Sequence, residues 1–239
     1  MSQVQHLQQS ESAFPGRDSF ADAPLVLIVD DDSDLREALQ ELMLSVGLAS
    51  ACFSSATELL AGELEDRPGC LILDVRLPGL SGLDFQHQFR ARGCSKPIIF
   101  LTAHGDIPMT VQAMKAGAVD FLTKPFRDQT LIDAVMAAIQ IDISQRVVAR
   151  RTGQIIERFS TLTPRERQVL REVVLGQVNK QIAFDLGISE VTVKLHRGNA
   201  MRKMQVVSVG DLVRAWEALP KALKESLEPR PVQRAGQIA

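Results

Sequence analysis

The chain of 239 residues is long for one domain and suits two, and its 45% of hydrophobic residues can supply a core for each. No apolar stretch approaches the roughly 18 residues of a membrane-spanning helix, so we expect no membrane partner. The formal net charge of −2 hides an asymmetry, because residues 1–150 carry 12 basic and 20 acidic side chains, whereas residues 151–239 carry 15 and 9. The basic half is therefore a candidate for nucleic-acid binding, and the acidic half is not.

The N-terminal residues and the cysteines bear on where the protein is located. Residues 1–23 are polar, with neither a basic start nor an apolar run, which predicts a disordered tail rather than a signal peptide. Cys52, Cys70 and Cys94 show no metal-binding spacing. An odd number of unpaired thiols is typical of a reducing compartment, so we expect a cytoplasmic protein.

Between residues 24 and 143, short apolar runs alternate with helical patterns. The runs comprise residues 25–29, 48–53, 70–73, 97–101 and 118–122. Five such repeats predict an α/β domain in which helices cover both faces of a five-stranded parallel sheet. The helix boundaries agree, because Ser55 and Glu58 are spaced as a capping box, and Gly47 and Gly117 follow predicted helix ends.

Acidic residues and one lysine follow three of the predicted strands. They are Asp30, Asp31 and Asp32 after the first strand, Asp74 at the end of the third, and Lys124 after the fifth. Because the carboxyl ends of parallel strands share one edge of a sheet, we expect these side chains to meet in one pocket. Carboxylates there can hold Mg²⁺, and Lys124 and Thr102 can contact phosphoryl oxygens. The pattern suggests phosphoryl transfer to Asp74.

Each of these residues has a simpler interpretation when taken alone. The three successive aspartates could serve only to cap the following helix, and Lys124 could be an ordinary surface lysine. Their occurrence together at successive strand ends favours the pocket.

Several strings in this half resemble the receiver domain of two-component response regulators. They are Val29-Asp30-Asp31-Asp32, Leu73-Asp74-Val75-Arg76-Leu77-Pro78, residues 79–82, Leu101-Thr102-Ala103 and Phe121-Leu122-Thr123-Lys124-Pro125-Phe126. The resemblance implies a flavodoxin-like fold over residues 24–143, in which Asp74 accepts phosphate from a sensor histidine kinase.

The resemblance also implies roles for the residues around Asp74. Mg²⁺ would be bound by Asp30, Asp31, Asp74 and the backbone carbonyl of Arg76. Thr102 and Lys124 would contact the phosphoryl group, and Phe121 would be the aromatic switch residue. Asp32 would cap the following helix without a role in metal binding.

The pattern after residue 131 is helical throughout. A last helix of the first half ends near Gly153 and leads into a helical linker, residues 144–159. Thr163, Pro164 and Glu166 are spaced as an N-cap, a first-turn proline and a capping-box acid, which predicts a helix that Gly176 ends.

Three more helices follow in the basic half. A short helix over residues 179–186, a turn at Gly187 and a third helix capped by Ser189 and running through Met204 predict a helix-turn-helix. Ser208 caps a fourth helix, which Pro220 ends, so this is an all-α four-helix domain. Basic and polar side chains on its outward faces are the candidate DNA contacts. They are Lys180, Ser189, Thr192, Lys194, Arg197, Arg202 and Lys203. On charge alone, a solvated helix face would be the default interpretation.

Four strings in the basic half resemble the LuxR-type DNA-binding domain over residues 160–222. They are residues 162–170, Asn179-Lys180-Gln181-Ile182-Ala183, Leu186-Gly187-Ile188-Ser189 and Val191-Thr192-Val193-Lys194-Leu195-His196-Arg197. Both halves together resemble a response regulator of the NarL/FixJ type, with residues 223–239 as a flexible tail.

That resemblance implies a transcription factor, most often an activator, rather than an enzyme, with self-dephosphorylation as its only turnover. Phosphorylation would favour a homodimer that binds an inverted repeat in promoter DNA, and RNA polymerase is a further partner to expect. The fourth helix, through Leu212, Val213 and Trp216, would form the dimer contact.

Two alternatives stay open. One is a DNA-binding protein that is independent of phosphorylation and whose receiver-like domain only dimerises. The other is a Mg²⁺-dependent phosphatase or phosphotransferase, which would usually need a second acid two residues after its nucleophile, where this chain has Arg76. A regulator of the LuxR type that senses a small molecule would not need the acids of the first half.

Overall fold

The computed structural model describes residues 23–62, 65–77, 82–103 and 107–225, apart from the side chains of residues 83 and 107–109. The chain divides into two compact units between Arg146 and Val147. Almost all of the predicted N-terminal tail, most of the predicted C-terminal tail and residues 78–81 of the receiver motif lie outside the described residues. None of the described helices combines the length and hydropathy needed to cross a lipid bilayer.

The first unit contains a five-stranded parallel sheet in the order β2-β1-β3-β4-β5. The strands are β1 (Leu25–Val29), β2 (Ala49–Phe53), β3 (Gly69–Asp74), β4 (Ile98–Thr102) and β5 (Asp120–Thr123). The helices are α1 (Ser33–Ser45), α2 (Ala56–Ala61), α3 (Gly82–Ala91), α4 (Ile107–Lys115) and the first part of α5 (Asp128–Ser160). The predicted parallel sheet is confirmed.

Helices cover both faces of the sheet because successive strand residues point to opposite sides. Val26 and Ile28 of β1 pack with residues of α1 and α5, whereas Leu27 and Val29 pack with residues of α2, α3 and α4. β3 is buried along its whole length. Its carboxyl end therefore delivers Asp74 to the sheet edge from the middle of the core.

The helix ends follow the sequence signals with one difference. The Asp32 carboxylate caps α1 by accepting from the N–H groups of Asp34 and Leu35, at 3.0 and 3.2 Å. Gly47 and Gly117 have φ of +77° and +88°, as the predicted left-handed helix ends require.

The predicted capping box at α2 is only half formed. The Ser55 hydroxyl accepts from the N–H of Glu58 at 3.1 Å. The Glu58 carboxylate, however, accepts from the N–H and the hydroxyl of Ser54, both at 2.7 Å, instead of from the N–H of Ser55. Ser54 offers the Glu58 carboxylate two donors, its N–H and its hydroxyl, whereas the N–H of Ser55 would be one. The spacing of a capping box alone does not reveal this alternative.

A buried carboxylate joins α5 to the amino end of β3. Asp142 is fully buried, and its Oδ2 accepts from the backbone N–H of Gly69 and from Nε of Arg146, both at 2.9 Å. Gly69 is required there, because a Cβ would lie 1.9 Å from the carbonyl oxygen of Leu25. The strand that ends at Asp74 is therefore held at its start by a charged group.

We expect Asp142→Ala to lower the free energy of unfolding of the first unit by roughly 2–4 kcal/mol, because it leaves a buried N–H without its acceptor and removes one of the two carboxylates that pair with the Arg146 guanidinium. Urea unfolding followed by circular dichroism measures this. Asp133→Ala, at an exposed position of the same helix, is the control and should change stability by less than about 0.5 kcal/mol. Equal effects of the two substitutions would show that the buried carboxylate contributes nothing.

As far as Glu225, where the described residues end, the second unit contains the rest of α5 and five further helices. They are α6 (Pro164–Val174), α7 (Asn179–Leu186), α8 (Glu190–Met204), α9 (Val209–Glu217) and α10 (Lys221–Glu225). The predicted capping box at Thr163 and Glu166 is complete, and Gly187 ends α7 in a left-handed conformation with φ of +64°. The core combines apolar side chains from α6, α7, α8 and α9 with Phe159 at the end of α5.

Three predictions for this region need correction. The last helix of the first half does not end near Gly153 but runs to Ser160, because Ile155, Ile156 and Phe159 pack into the second core and outweigh the cost of about 1 kcal/mol for a helical glycine.

The other two corrections concern the C-terminal helices. Residues 223–225, predicted as part of the tail, belong to α10, where Lys224 Nζ donates to the carbonyl of Glu217 at 2.9 Å. Leu212 cannot form the predicted dimer contact, because it is buried in the intramolecular core. Trp216 instead packs edge-on against Phe159, with ring centroids 6.2 Å apart.

Candidate phosphoacceptor pocket and nucleic-acid interface

Asp30, Asp74 and Lys124 meet at the carboxyl edge of the sheet. β3 lies between β1 and β4, so Asp74 emerges between the ends of its two neighbours. Lys124 Nζ donates to Asp74 Oδ2 at 2.7 Å and to Asp30 Oδ2 at 2.8 Å. Asp30 and Asp74 are 1% and 8% exposed, so this one ammonium group compensates two buried carboxylates.

Asp31 completes an acidic cluster. One carboxylate oxygen from each of Asp30, Asp31 and Asp74 lies within 4.8 Å of the other two. Asp31 is exposed, so the cluster opens to solvent on its side. Three carboxylates with an open approach suit a Mg²⁺ ion, which binds one or two protein carboxylates and keeps several waters.

Backbone donors fix the carboxylates in place. The N–H of Arg76 donates to Asp74 Oδ1 at 2.8 Å, and the N–H of Asp32 donates to Asp30 Oδ1 at 3.0 Å. Arg36 adds a contact that the sequence did not predict, since its Nη1 donates to the backbone carbonyl of Asp30 at 2.6 Å. The position of Arg36 one helical turn after the cap of α1 is the only sequence signal that could have indicated it.

Burial and pairing shift the acid–base properties of this site in a consistent way. Burial raises the pKa of the Asp30 carboxyl above its ordinary value, although the hydrogen bonds from Lys124 and from the N–H of Asp32 oppose it. Burial alone would lower the pKa of Lys124, but its hydrogen bonds to Asp30 and Asp74 outweigh this and raise that pKa. Lys124 is therefore a permanent cation beside Asp74 at neutral pH.

Thr102 lies on β4, the strand beside β3, and Phe121 lies on β5, the strand beyond β4. Thr102 ends β4, is fully buried, and accepts through its carbonyl from the N–H of Lys124 at 2.7 Å. Phe121 of β5 is half-buried, with its ring 6.4 Å from that of Phe100. The side chain of Arg76 is exposed, so only its backbone faces the pocket.

Gly82 is a pocket residue whose purpose only the structure explains. A Cβ at this position would lie 2.9 Å from the Phe100 ring and 3.1 Å from the carbonyl oxygen of Asp74. The N–H of Gly82 donates to the carbonyl of Val75 at 3.0 Å. Glycine thus lets the start of α3 approach the strand end that carries Asp74.

In the second unit, α7, the turn at Gly187 and α8 form a helix-turn-helix. Ser189 caps α8 by accepting from the N–H of Thr192 at 3.1 Å, and the two hydroxyls lie 2.8 Å apart. Lys180, Lys194 and Arg202 are exposed. These three cations extend from the helices into solvent, where they are accessible to DNA phosphates or bases.

Two family models match the chain, in the order of its two units. Residues 26–136 match the response regulator receiver domain, and residues 160–216 match the luxR family of bacterial regulatory proteins. Response regulator protein TodT of Pseudomonas putida is 51% identical over 206 residues, which are 86% of this chain and 89% of TodT. The chain belongs to the response regulator family.

Further relatives of this response regulator agree. Transcriptional regulatory protein FixJ of Azorhizobium caulinodans is 45% identical over 190 residues, which are 79% of this chain and 90% of FixJ. The solved structure of the response regulator StyR has a TM-score of 0.72 and 47% identity, and the match covers 82% of this chain and 98% of StyR. The predicted NarL/FixJ type is confirmed, and the protein is a DNA-binding transcriptional response regulator.

Two of the cations predicted to contact DNA join α8 to other parts of the second unit, whereas Arg202 Nη2 donates to Asn199 Oδ1 within α8 at 2.9 Å. Lys203 Nζ donates to Glu166 Oε2 at 2.7 Å and to the carbonyl of Thr161 at 3.2 Å. Arg197 Nη1 donates to Asn179 Oδ1 at 3.1 Å. The contacts join α8 to the start of α6 and to the start of α7, so both side chains hold the helix-turn-helix together whether or not they also reach DNA.

The Glu166 carboxylate is the acidic member of the α6 contact. It is 4% exposed. Burial alone would raise the pKa of Glu166, but the hydrogen bonds from Lys203 and from Thr163 reverse this, and that pKa lies below its ordinary value. The pairing therefore adds stability above the ordinary pKa of a glutamate, about 4.3, and loses it as the pH falls through the lower folded-state pKa.

We expect Lys203→Met to lower the free energy of unfolding of the second unit by about 1–2 kcal/mol at neutral pH, because it leaves the Glu166 carboxylate without its charged donor. The difference from wild type should shrink as the pH falls below the ordinary glutamate pKa of about 4.3 and through the lowered pKa of Glu166. Trp216, the single tryptophan, lies in this unit and reports its urea unfolding by fluorescence.

Lys194→Met is the matched control for that measurement. Lys194 is exposed on the same helix, so its replacement should change stability by less than about 0.5 kcal/mol. A loss that is the same for both variants, or that persists unchanged in acid, would show that the Glu166 pair does not stabilise the unit.

Proposed function

We propose that a partner sensor histidine kinase phosphorylates Asp74 and that this modification controls binding of promoter DNA. The observation that supports this most is the position of Lys124 Nζ, 2.7 Å from Asp74 and 2.8 Å from Asp30. An oxygen of Asp74 attacks the phosphorus of the donor while the bond from phosphorus to the donor breaks. Lys124 is placed to compensate charge on the phosphoryl oxygens as the transfer proceeds.

Asp30, Asp31 and Asp74 would hold Mg²⁺, together with the backbone carbonyl of Arg76. When bound, the ion neutralises negative charge that would otherwise repel the incoming phosphoryl group. The ammonium of Lys124 balances only one of the two carboxylates of Asp30 and Asp74. With the carboxylate of Asp31, the cluster has an excess of two negative charges. The donor set and its excess charge therefore suit a divalent cation.

The switch would run from the phosphoryl group to the neighbouring strands. The Thr102 hydroxyl turns toward the phosphoryl oxygens, and Phe121 moves inward in response. Shifting a two-state equilibrium from 1:99 to 99:1 needs roughly 5.5 kcal/mol of differential binding. A phosphoryl group with nearly two negative charges beside Lys124 would supply much of that free energy.

The output would be a homodimer that binds an inverted repeat in promoter DNA. Lys194 would contact bases or phosphates at the start of α8, and Lys180, Arg197, Arg202 and Lys203 would contact phosphates. Ser189 and Thr192 would approach the DNA backbone at the amino end of the helix. We infer a cytoplasmic activator that works with RNA polymerase, built from a receiver over residues 24–143, a linker over 144–159 and a DNA-binding domain over 160–222.

We expect Asp74→Asn to abolish phosphorylation by a small phosphodonor such as acetyl phosphate in the presence of Mg²⁺, because the amide is not a nucleophile for phosphorus. Gel mobility on a phosphate-binding matrix measures the modified fraction. Asp31→Asn should require more Mg²⁺ for the same extent of labelling, and chelation of Mg²⁺ should prevent labelling of the wild type.

Asp133→Asn, which changes an exposed acid on α5, is the control and should be labelled like the wild type. Labelling of Asp74→Asn would refute Asp74 as the acceptor. If phosphodonor treatment leaves wild type and Asp74→Asn with the same DNA affinity, the alternative of a DNA-binding protein independent of phosphorylation is correct.

We expect Phe121→Tyr to weaken DNA binding by the unphosphorylated protein, because an added hydroxyl disfavours the buried position that a phenylalanine ring accepts readily. Binding to a promoter duplex before and after phosphodonor treatment measures the ratio of the two affinities, which should increase. If neither affinity changes, the ring at this position does not bias the switch.

A further inference from the structure

α8 carries two large apolar side chains that the core of the second unit does not use. Val191 is 76% exposed and Leu195 is 61% exposed. The two are four residues apart, so they lie next to each other on one side of the helix. The buried side chains of α8 are Val193, Ala200 and Met204. We call Val191 and Leu195 the apolar ridge.

Thr192 and Gly198, which lie beside the apolar ridge, offer little direct hydrogen bonding to a partner. The Thr192 hydroxyl already lies 2.8 Å from that of Ser189. Gly198, the next position along the ridge, has no side chain, and no heavy atom lies within 4 Å of where a Cβ would be. Lys194 is exposed between the two apolar residues. The first turns of α8 therefore present the Glu190 carboxylate at the helix start, one cation, two aliphatic side chains and a position without a side chain at Gly198.

This combination fits the major groove of DNA better than a hydrophobic protein surface. The apolar ridge is bordered by the exposed cations Lys194 and Arg202, and the half of the chain that contains it has a surplus of basic residues. Residues at the amino end of a recognition helix approach base edges. The C5 methyl of thymine is the one apolar group that the bases present there.

We propose that Leu195, assisted by Val191, recognises thymine in the target half-site through contact with its C5 methyl group. The two residues are then specificity-determining residues, and Lys194 contributes affinity beside them. The inference rests on the proposed placement of α8 in the major groove. At the thymine concerned, the choice of base depends on apolar burial and not on a hydrogen bond.

The experiment uses the full chain treated with a phosphodonor and a target duplex selected from random-sequence DNA. Each thymine of one half-site is replaced in turn by deoxyuridine, which lacks only the methyl group. At one or more positions the wild type should bind about fourfold more weakly, the effect of losing one buried methyl-sized group. Leu195→Ala should show no more than about a twofold effect there.

Val207→Ala is the matched control, because Val207 is 94% exposed but lies outside α8. This variant should retain the full penalty for deoxyuridine. Val191→Ala should reduce the penalty at the same thymine or at its neighbour. Both ridge positions are exposed, so these variants keep their core intact.

The inference is overturned if deoxyuridine weakens the wild type and Leu195→Ala equally at every position, or if no thymine of the half-site responds. It is also overturned if Leu195→Ala binds DNA as the wild type does, which would assign the apolar ridge to a protein partner. If selection yields no preferred DNA at all, the proposed promoter binding fails as well. If selection does yield a preferred site but Leu195→Ala does not change the penalty for deoxyuridine, only the inference about thymine fails, and the proposed promoter binding stands.

Discussion

The first unit depends on one ammonium group that compensates two buried carboxylates. Asp30 and Asp74 would repel each other at the edge of the sheet if Lys124 did not lie within 2.8 Å of both. Pairing makes their burial tolerable, but the cluster with Asp31 stays more negative than positive. This excess of negative charge favours binding of a divalent cation, and the bound cation would in turn favour the phosphoryl transfer that we propose at Asp74.

The strand that carries Asp74 is held at both ends by polar contacts. At its carboxyl end the N–H of Arg76 and the Lys124 ammonium orient the Asp74 carboxylate. At its amino end Gly69 donates to the buried Asp142 of α5. Because β3 also lies in the middle of the sheet, the strand is a rigid base, so the charge change that we propose at Asp74 would act on neighbouring side chains rather than move the strand.

The second unit shows that a surface cation is not automatically available to a ligand. Arg197 and Lys203 join α8 to other helices, whereas Lys180, Lys194 and Arg202 are exposed. Electrostatic attraction to DNA needs only the sum of these charges, but recognition of a sequence needs side chains that are free to meet base edges. On α8 the exposed side chains of Val191 and Leu195 are free in this sense, and both are uncharged.

Much of this protein was determined by its sequence alone, because the signals are local. Apolar runs specified the five strands, acids at their ends had to converge once the strands were parallel, and caps such as Thr163 with Glu166 marked helix starts. Only the tertiary structure decided that α5 continues past Gly153, that Leu212 is buried, and that Lys203 pairs with a glutamate 37 residues away. Whether a helix continues past a glycine, or whether a charged side chain is paired, depends on the side chains that the fold places next to it. Those side chains come from distant parts of the chain, so local sequence signals do not reveal them.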